Sequence, residues 1–173
     1  MFYKIKQTLH KINLIPRNIK IGVINLITWF PIIWKDRQWD YYFIYIILRH
    51  KLHLTEQFIR HYGCHVKNIQ DADKIKKCVL LLDRLIKDEY HDNVFRNHDK
   101  KWGDIDLIFM ESKEYPEEYS EVKINYPNVK TEEDKKLEKK EFKRLSNKPQ
   151  ELINQDLELL FKIMRKNIQT WWD

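Results

Sequence analysis

Residues 72–90, ADKIKKCVLLLDRLIKDEY, carry the clearest structural signal in this chain of 173 residues. Their apolar side chains return every three or four positions, which places them on one face of an α-helix. The residues of this face are Ile75, Cys78, Val79, Leu82, Leu85, Ile86 and Tyr90. We therefore predict one helix over residues 72–95, with Asp71 as its N-cap.

The same periodicity predicts four more helices along the chain. They cover residues 2–12, residues 17–30, a long stretch capped by Asp36 or Asp40 that ends near residue 62, and a terminal helix that begins at Pro149. Pro16 and Pro31 should end the first two, because proline lacks the backbone N–H that continues a helix. Gly63 should end the third helix.

Residues 104–148 depart from this pattern. Alternation at 105–110 and 121–126, across a Pro- and Glu-rich turn, predicts a small β-hairpin. Residues 131–145 are mostly lysine and glutamate, and Thr131 with Asp134 resembles a capping box. We predict an all-α, mainly helical-bundle fold with a single domain over residues 1–173, in which 104–148 form a charged, partly irregular excursion with this hairpin.

Composition narrows the class of protein. Hydrophobic residues make up 43% and charged residues 34% of the chain, which excludes a disordered protein. The net charge of +6 is taken as spread along the sequence, and it favours an anionic partner. The apolar stretch at 19–34 is short and is interrupted by Lys20, Asn25 and Pro31, so it should not insert into a membrane and no membrane partner is expected, while a role at a membrane surface stays open. Cys64 and Cys78, with no signal peptide, predict a cytoplasmic protein.

Aromatic residues are densest in the window 29–40, WFPIIWKDRQWD. The planar guanidinium of Arg37 can pair with a phosphate, and the rings of Trp34 and Trp39 can stack on a base. These three residues are therefore candidates for binding a purine and its phosphate. In the alternative interpretation, the tryptophans pack in the core and Arg37 pairs with Asp36 or Asp40.

Further basic candidates lie on the predicted helices. Arg49, His50 and Lys51 form a group that can meet an anion or face solvent. Arg84 interrupts an apolar face, so it lies at the edge of that face or is buried with a partner.

Lys101 and Trp102 precede Gly103, a pattern typical of a helix end, although both can also contact a ligand. The complete set of predicted ligand-binding residues is Trp34, Arg37, Trp39, Arg49, His50, Lys51, Arg84, Lys101 and Trp102.

Two groups of residues could bind a metal. His98-Asp99, like the dipeptide at 91–92, matches the His-Asp pair of metal-dependent phosphohydrolases, but the further ligands of that family have no constrained counterpart here. Residues 61–65, HYGCH, lack the paired spacing of a structural zinc site, and a helix end with satisfied histidines is the alternative. No nucleophile elbow, phosphate loop or zinc-finger spacing occurs, so no catalytic residue, cofactor or metal is predicted.

The chain ends on Trp171-Trp172-Asp173. Because free termini fray, this bulky pair is expected to dock within its own domain or on a partner subunit, and a homo-oligomer is expected. The window 29–40 is its expected packing partner.

The motifs WFPxIWxDRxWD at 29–40, Gln155-Asp156-Leu157 and the terminal WWD resemble those of small proteins encoded by tailed phages and prophages. The resemblance covers most of the chain and brings no catalytic residues. It implies a phage protein that acts inside an infected bacterium, where small phage proteins often counter host defence.

Three functions follow as hypotheses. The first is a non-catalytic binding protein that sequesters a nucleotide-derived immune signal, such as a cyclic dinucleotide or cyclic ADP-ribose. The second is a helical phage protein that binds a host protein or nucleic acid, which the Lys-rich segment 135–148 favours. The third, a phosphohydrolase built on His98 and Asp99, would be an enzyme; the first two would not.

Overall fold

The computed structural model describes residues 2–111 and 120–171, and the side chains of residues 16–110, 120 and 122–171 among them. The elements in chain order are helices α1 (Phe2–Ile33), α2 (Tyr42–Tyr62), α3 (Asn68–Lys87) and α4 (Tyr90–Trp102), strands β1 (Asp106–Glu111) and β2 (Ser120–Asn125), helices α5 (Glu132–Leu145) and α6 (Lys148–Asn167), and one 3-10 turn (Ile168–Thr170). The predicted mainly helical class with one small β-hairpin is confirmed.

The centre of the core lies between α3 and α6. Ile75, Cys78 and Leu82 of α3 have no exposed surface, and neither does Leu160 of α6. These three α3 residues belong to the predicted apolar face, so the periodicity identified the buried side of this helix. Each such side chain contributes about 1.5–3 kcal/mol on burial.

The first helix differs from its prediction. We expected Pro16 to end one helix and residues 17–30 to form another, but α1 runs without interruption from Phe2 to Ile33 and includes Pro16 and Pro31. A proline removes one helical hydrogen bond, and a long helix retains the turns on either side of it. Pro31 lies in the last turn, where the helix ends two residues later.

The ends of α2 match their prediction. Oδ1 of Asp40 accepts a 2.9 Å hydrogen bond from the backbone N–H of Tyr42, so Asp40 rather than Asp36 caps the helix. Gly63 follows the last residue, and its N–H donates to the carbonyl of Ile59 at 3.0 Å.

The single helix predicted over residues 72–95 is in fact two. α3 begins earlier, at Asn68, so Asp71 lies in its first turn and is not the cap. Asp88 then adopts a left-handed conformation with φ of 51° and separates α3 from α4. Apolar periodicity continues across this break, which is why the sequence indicated one helix.

Residues 104–148 contain ordered elements. β1 pairs antiparallel with β2, with Leu107 opposite Ile124. Thr131 and Asp134 form the predicted capping box at the start of α5. The side chains of α5 pack on α4, where the ring of Phe142 lies 5.6 Å from that of Phe95.

The chain divides into two compact units, residues 1–51 and 52–173. In the described part of the first unit, residues 16–51, no side chain is buried. All the described buried residues lie in the second unit, from Leu52 to Trp171. None of the described helices combines the length and apolarity needed to cross a membrane.

Trp171 is buried in the second unit, which agrees with the predicted docking of the terminus, while Trp172 and Asp173 lie outside the described residues. Trp34 and Trp39 are 72% and 82% exposed, so the interpretation of these two residues as core is wrong.

Candidate functional site

A groove of about 1100 Å³ lies between α3 and α6 in the second unit and is here called the α3–α6 groove. Its lining residues are Lys74, Lys77, Leu80, Leu81, Asp83, Arg84 and Lys87 of α3, and Leu159, Ile163 and Asn167 of α6. Leu80 and Leu159 leave 53% and 46% of their surface exposed, so the apolar floor is open to a partner.

Four cations follow the α3 edge of this groove. Lys74, Lys77, Arg84 and Lys87, here called the cation row, are separated by three, seven and three residues. This spacing keeps them on one side of the helix over about 20 Å of its axis, at 1.5 Å per residue. Asp83 is the single acidic residue in the lining. The groove therefore combines an apolar floor with an extended positive rim.

Arg84 is held in place by a buried carboxylate. Its Nε lies 3.2 Å from Oδ2 of Asp156, which also accepts a 2.6 Å hydrogen bond from the Tyr90 hydroxyl. The guanidinium also lies 5.9 Å from the centre of the Tyr90 ring, within the range of a cation–π contact. Burial and the hydrogen bond to Asp156 raise the pKa of Tyr90, so the tyrosine stays protonated at neutral pH. The Arg84 side chain is nonetheless 58% exposed, which leaves it accessible from the groove.

Lys74, like Arg84, is paired with a buried carboxylate. Its Nζ lies 2.7 Å from Oδ1 of the buried Asp71, and Nε2 of His65 lies 3.3 Å from the other oxygen. Burial alone would raise the pKa of Asp71, but the hydrogen bond and charge of Lys74 lower it. Lys77 and Lys87 are exposed. These two residues are thus the cations best able to meet an anion.

Two of the three aromatic candidates, Trp34 and Trp39, lie in the first unit. Arg37 and Trp39 line a depression of about 380 Å³, whose lining does not include Trp34. Nη1 of Arg37 donates to the backbone carbonyl of Asp36 at 2.8 Å. The guanidinium thus stabilises its own loop. Arg37, Trp34 and Trp39 do not line one common pocket.

The three basic candidates of α2, Arg49, His50 and Lys51, differ in their exposure to solvent. The ring of His50 packs edge-on against Trp29 at 4.8 Å, and its Nε2 is buried without a hydrogen-bond partner among the described residues. Arg49 is half-buried and Lys51 is exposed. His50 therefore acts as a packing residue between α1 and α2.

Lys101 and Trp102 fix α5 to α4. Nζ of Lys101 and Nε1 of Trp102 each lie 2.7 Å from an oxygen of Glu141, and Nζ stacks 4.3 Å from the Trp102 ring. Trp102 is only 4% exposed. Gly103 has φ of 88°, and a Cβ on it would lie 2.9 Å from Pro127. These contacts give Lys101 and Trp102 a structural role, and the predicted helix end at Gly103 is confirmed.

The metal candidates are dispersed. The His98 side chain is 1% exposed, with Nδ1 3.4 Å from Oδ1 of Asp99 and Nε2 3.5 Å from Oε1 of Glu138. Its ring packs against Tyr126 at 5.1 Å. Among the described residues, no three histidine, cysteine, aspartate or glutamate side chains are arranged to hold a metal ion.

Sequence reasoning identified Arg84 but missed the rest of the groove. Lys77 and Lys87 could have been found from their three- and seven-residue spacing to Arg84, which places all three on one side of α3. Leu159 and Ile163 could not, because the sequence does not reveal which helix lies beside α3.

Comparison of this chain with protein-family models, curated proteins and solved structures gave no match. The resemblance to phage proteins accordingly stays an expectation from the motifs.

Proposed function

We propose that the protein is a non-catalytic binding protein that engages an acidic amphipathic helix of another protein through the α3–α6 groove. The observation that supports this function is the exposed apolar floor beside the cation row. A helix with one apolar face and acidic residues along its edge would bury its apolar side chains on Leu80 and Leu159. Its carboxylates would meet Lys77, Arg84 and Lys87.

The length of the cation row favours an extended partner. Its members repeat over about 20 Å, which corresponds to about four turns of helix, and do not converge on one point. A single phosphate can engage one or two of them. In the phage context that the motifs suggest, the partner would be a protein of the infected host.

A nucleotide-derived signal is the second candidate. Lys77, Arg84 and Lys87 can neutralise phosphates, and the groove volume of about 1100 Å³ is close to the upper end of small-ligand sites. Against it, no aromatic side chain is present among the described lining residues, so a base would lie on Leu80 and Leu159 instead of stacking.

Fluorescence-anisotropy titration of the full chain tests both candidates. The probes are a labelled helical peptide with leucines at three- and four-residue spacing and flanking glutamates, the same peptide with lysines for glutamates, and a labelled cyclic dinucleotide. We expect the acidic peptide to bind and the basic peptide not to bind.

Lys77→Glu should weaken binding of the acidic peptide about tenfold, since it reverses a charge at the contact. Lys139→Glu is the matched control, because Lys139 is an exposed lysine of α5 outside the groove lining. Equal binding of acidic and basic peptides would contradict the proposal. Binding of the cyclic dinucleotide alone, lost in Lys77→Glu, would favour the second candidate.

A further inference from the structure

Helix α1 carries an exposed apolar stripe in the first unit. Its members recur every three or four residues and are 49–72% exposed. The stripe, here called the α1 stripe, consists of Ile19, Val23, Leu26, Ile27, Phe30 and Ile33 of α1 and of Trp34, the residue that follows the helix. An exposed apolar surface of this extent marks a site of interaction.

The α1 stripe is not the side of α1 that meets α2. Among the described residues of α1, Trp29 contacts α2, with its ring 4.8 Å from that of His50. At 100° per residue, Trp29 projects about 100° away from the middle of the stripe. The packing of α1 on α2 therefore leaves the stripe uncovered.

Positive charge is concentrated in this same unit. Residues 1–51 contain nine lysines and arginines against two acidic residues, Asp36 and Asp40, so their formal net charge is +7. Residues 52–173 contain 23 basic and 24 acidic residues, for a net charge of −1. The excess charge was expected to be spread along the chain, but it lies entirely in the unit with the α1 stripe.

We propose that α1 lies in the surface of a membrane that contains anionic lipid, with the α1 stripe at the boundary between headgroups and acyl chains. Lysines and arginines would contact the lipid phosphates, and such contacts strengthen the binding of an apolar helix face. The exposed rings of Trp34, Trp39 and Tyr41 suit the headgroup level, where tryptophan and tyrosine are enriched.

Charge also decides between a membrane and a second copy of the chain. Packing two α1 stripes together would bring two units of net charge +7 into contact, which like-charge repulsion disfavours. An anionic surface instead compensates this charge. This proposal departs from the sequence-based expectation of no membrane partner, and it concerns a surface separate from the α3–α6 groove.

Vesicle flotation of the full chain is the test. The vesicles are phosphatidylcholine alone, and phosphatidylcholine mixed with phosphatidylglycerol in equal parts. We expect binding to the mixed vesicles with a blue shift of tryptophan emission, and at least tenfold weaker binding to the neutral vesicles.

Leu26→Glu and Phe30→Glu should each reduce binding at least tenfold, because each places a charge in the apolar layer. Val66→Glu is the matched control, since Val66 is a fully exposed apolar residue of the second unit. The double variant Lys20→Glu, Lys35→Glu should lose the preference for phosphatidylglycerol and leaves the stripe unchanged, so the test does not depend on one variant.

Unaltered binding of both stripe variants would overturn the proposal, as would absence of binding by the wild-type chain. Sedimentation velocity tests whether a second copy of the chain covers the stripe instead. An oligomer that Leu26→Glu dissociates, together with no vesicle binding, would show this. Lys77→Glu should bind vesicles normally, which separates this test from that of the groove.

Discussion

Asp156 is a buried polar residue that links two helices of the second unit. It is buried on α6, where its Oδ2 accepts a 2.6 Å hydrogen bond from the Tyr90 hydroxyl and lies 3.2 Å from Nε of Arg84. Asp156→Asn removes the charge with little change in shape, and we expect a loss of about 1–3 kcal/mol in the free energy of unfolding. Urea unfolding followed by circular dichroism measures this, with the exposed Glu158→Gln as control. A loss no larger than that of the control would contradict the structural role.

The buried thiol of Cys78 predicts how stability depends on alkaline pH. Burial raises the pKa of Cys78 from 9.0 to about 11. Because the folded pKa lies above the unfolded one, this contribution is complete below about pH 9 and is lost as the pH rises towards 11. We expect a loss of about 1 kcal/mol between pH 9 and 10 from this thiol.

Cys78→Ala should lack this loss, whereas Cys64→Ala should retain it, since Cys64 is exposed. Urea unfolding at the two pH values, under reducing conditions, gives the difference. The interval from pH 9 to 10 lies below most of the loss of stability that Tyr126 would cause on ionisation, since burial raises its pKa to about 12. Identical pH profiles for the two variants would show that Cys78 stays protonated in the unfolded state or is not buried.

Cys78 and Asp156 illustrate which buried positions can be predicted from the sequence and which cannot. The buried position of Cys78 follows from its place on the apolar face of α3. The bond between Tyr90 and Asp156 joins residues 66 positions apart. Periodicity identifies the face of each helix but not which residues of distant helices meet, so that contact and the fixed position of Arg84 required the structure.

Among the elements, the break between α3 and α4 depends on one strained residue. Asp88 has φ of 51°, a conformation that glycine adopts without cost and other residues adopt only with strain. We expect Asp88→Gly to raise the free energy of unfolding by about 0.5–1 kcal/mol. Asp88→Ala is the control, because alanine keeps the Cβ that causes the strain. Glycine no more stable than alanine in urea unfolding would mean that the turn is not left-handed.

The attachment of α5 is a second property of an element that can be tested. Hydrogen bonds from Lys101 and Trp102 lower the pKa of Glu141, so its carboxylate remains charged and paired at neutral pH. Glu141→Gln should weaken both contacts and increase hydrogen exchange of the α5 amides several-fold while α3 stays protected. The exposed Glu133→Gln should leave exchange after the first turn unchanged. Equal exchange in both variants would assign the docking of α5 to Phe142 instead.

Element prediction succeeded where a local signal was sufficient and failed where two signals competed. The Thr131 capping box and the hairpin are local and were identified, and Asp40 was one of the two caps predicted for α2. Pro16 and Asp88 show the reverse cases: the proline lies inside a continuous helix, and a non-glycine residue ends one. In both cases, the surrounding helices determine whether the helix continues through the residue. The few residues on either side of it in the sequence do not show this.

Across the whole molecule, burial and charge are divided between the two units. The described buried side chains and a balanced charge belong to residues 52–173, whereas residues 1–51 hold the α1 stripe and the net positive charge. This division suggests separate roles. One unit provides the stable core and the α3–α6 groove, and the other provides a cationic apolar surface.

Deletion of residues 1–39 tests this division. The fragment 40–173 retains the Asp40 cap of α2 and every described buried side chain, so its cooperative unfolding and melting temperature should stay within a few degrees of those of the full chain. Thermal unfolding by circular dichroism measures this. Deletion of residues 148–173 is the control and should abolish the cooperative transition, because it removes Leu160 and Asp156 from the core. If loss of residues 1–39 unfolds the protein, the first unit contributes to the core and the α1 stripe cannot be purely a surface for lipid.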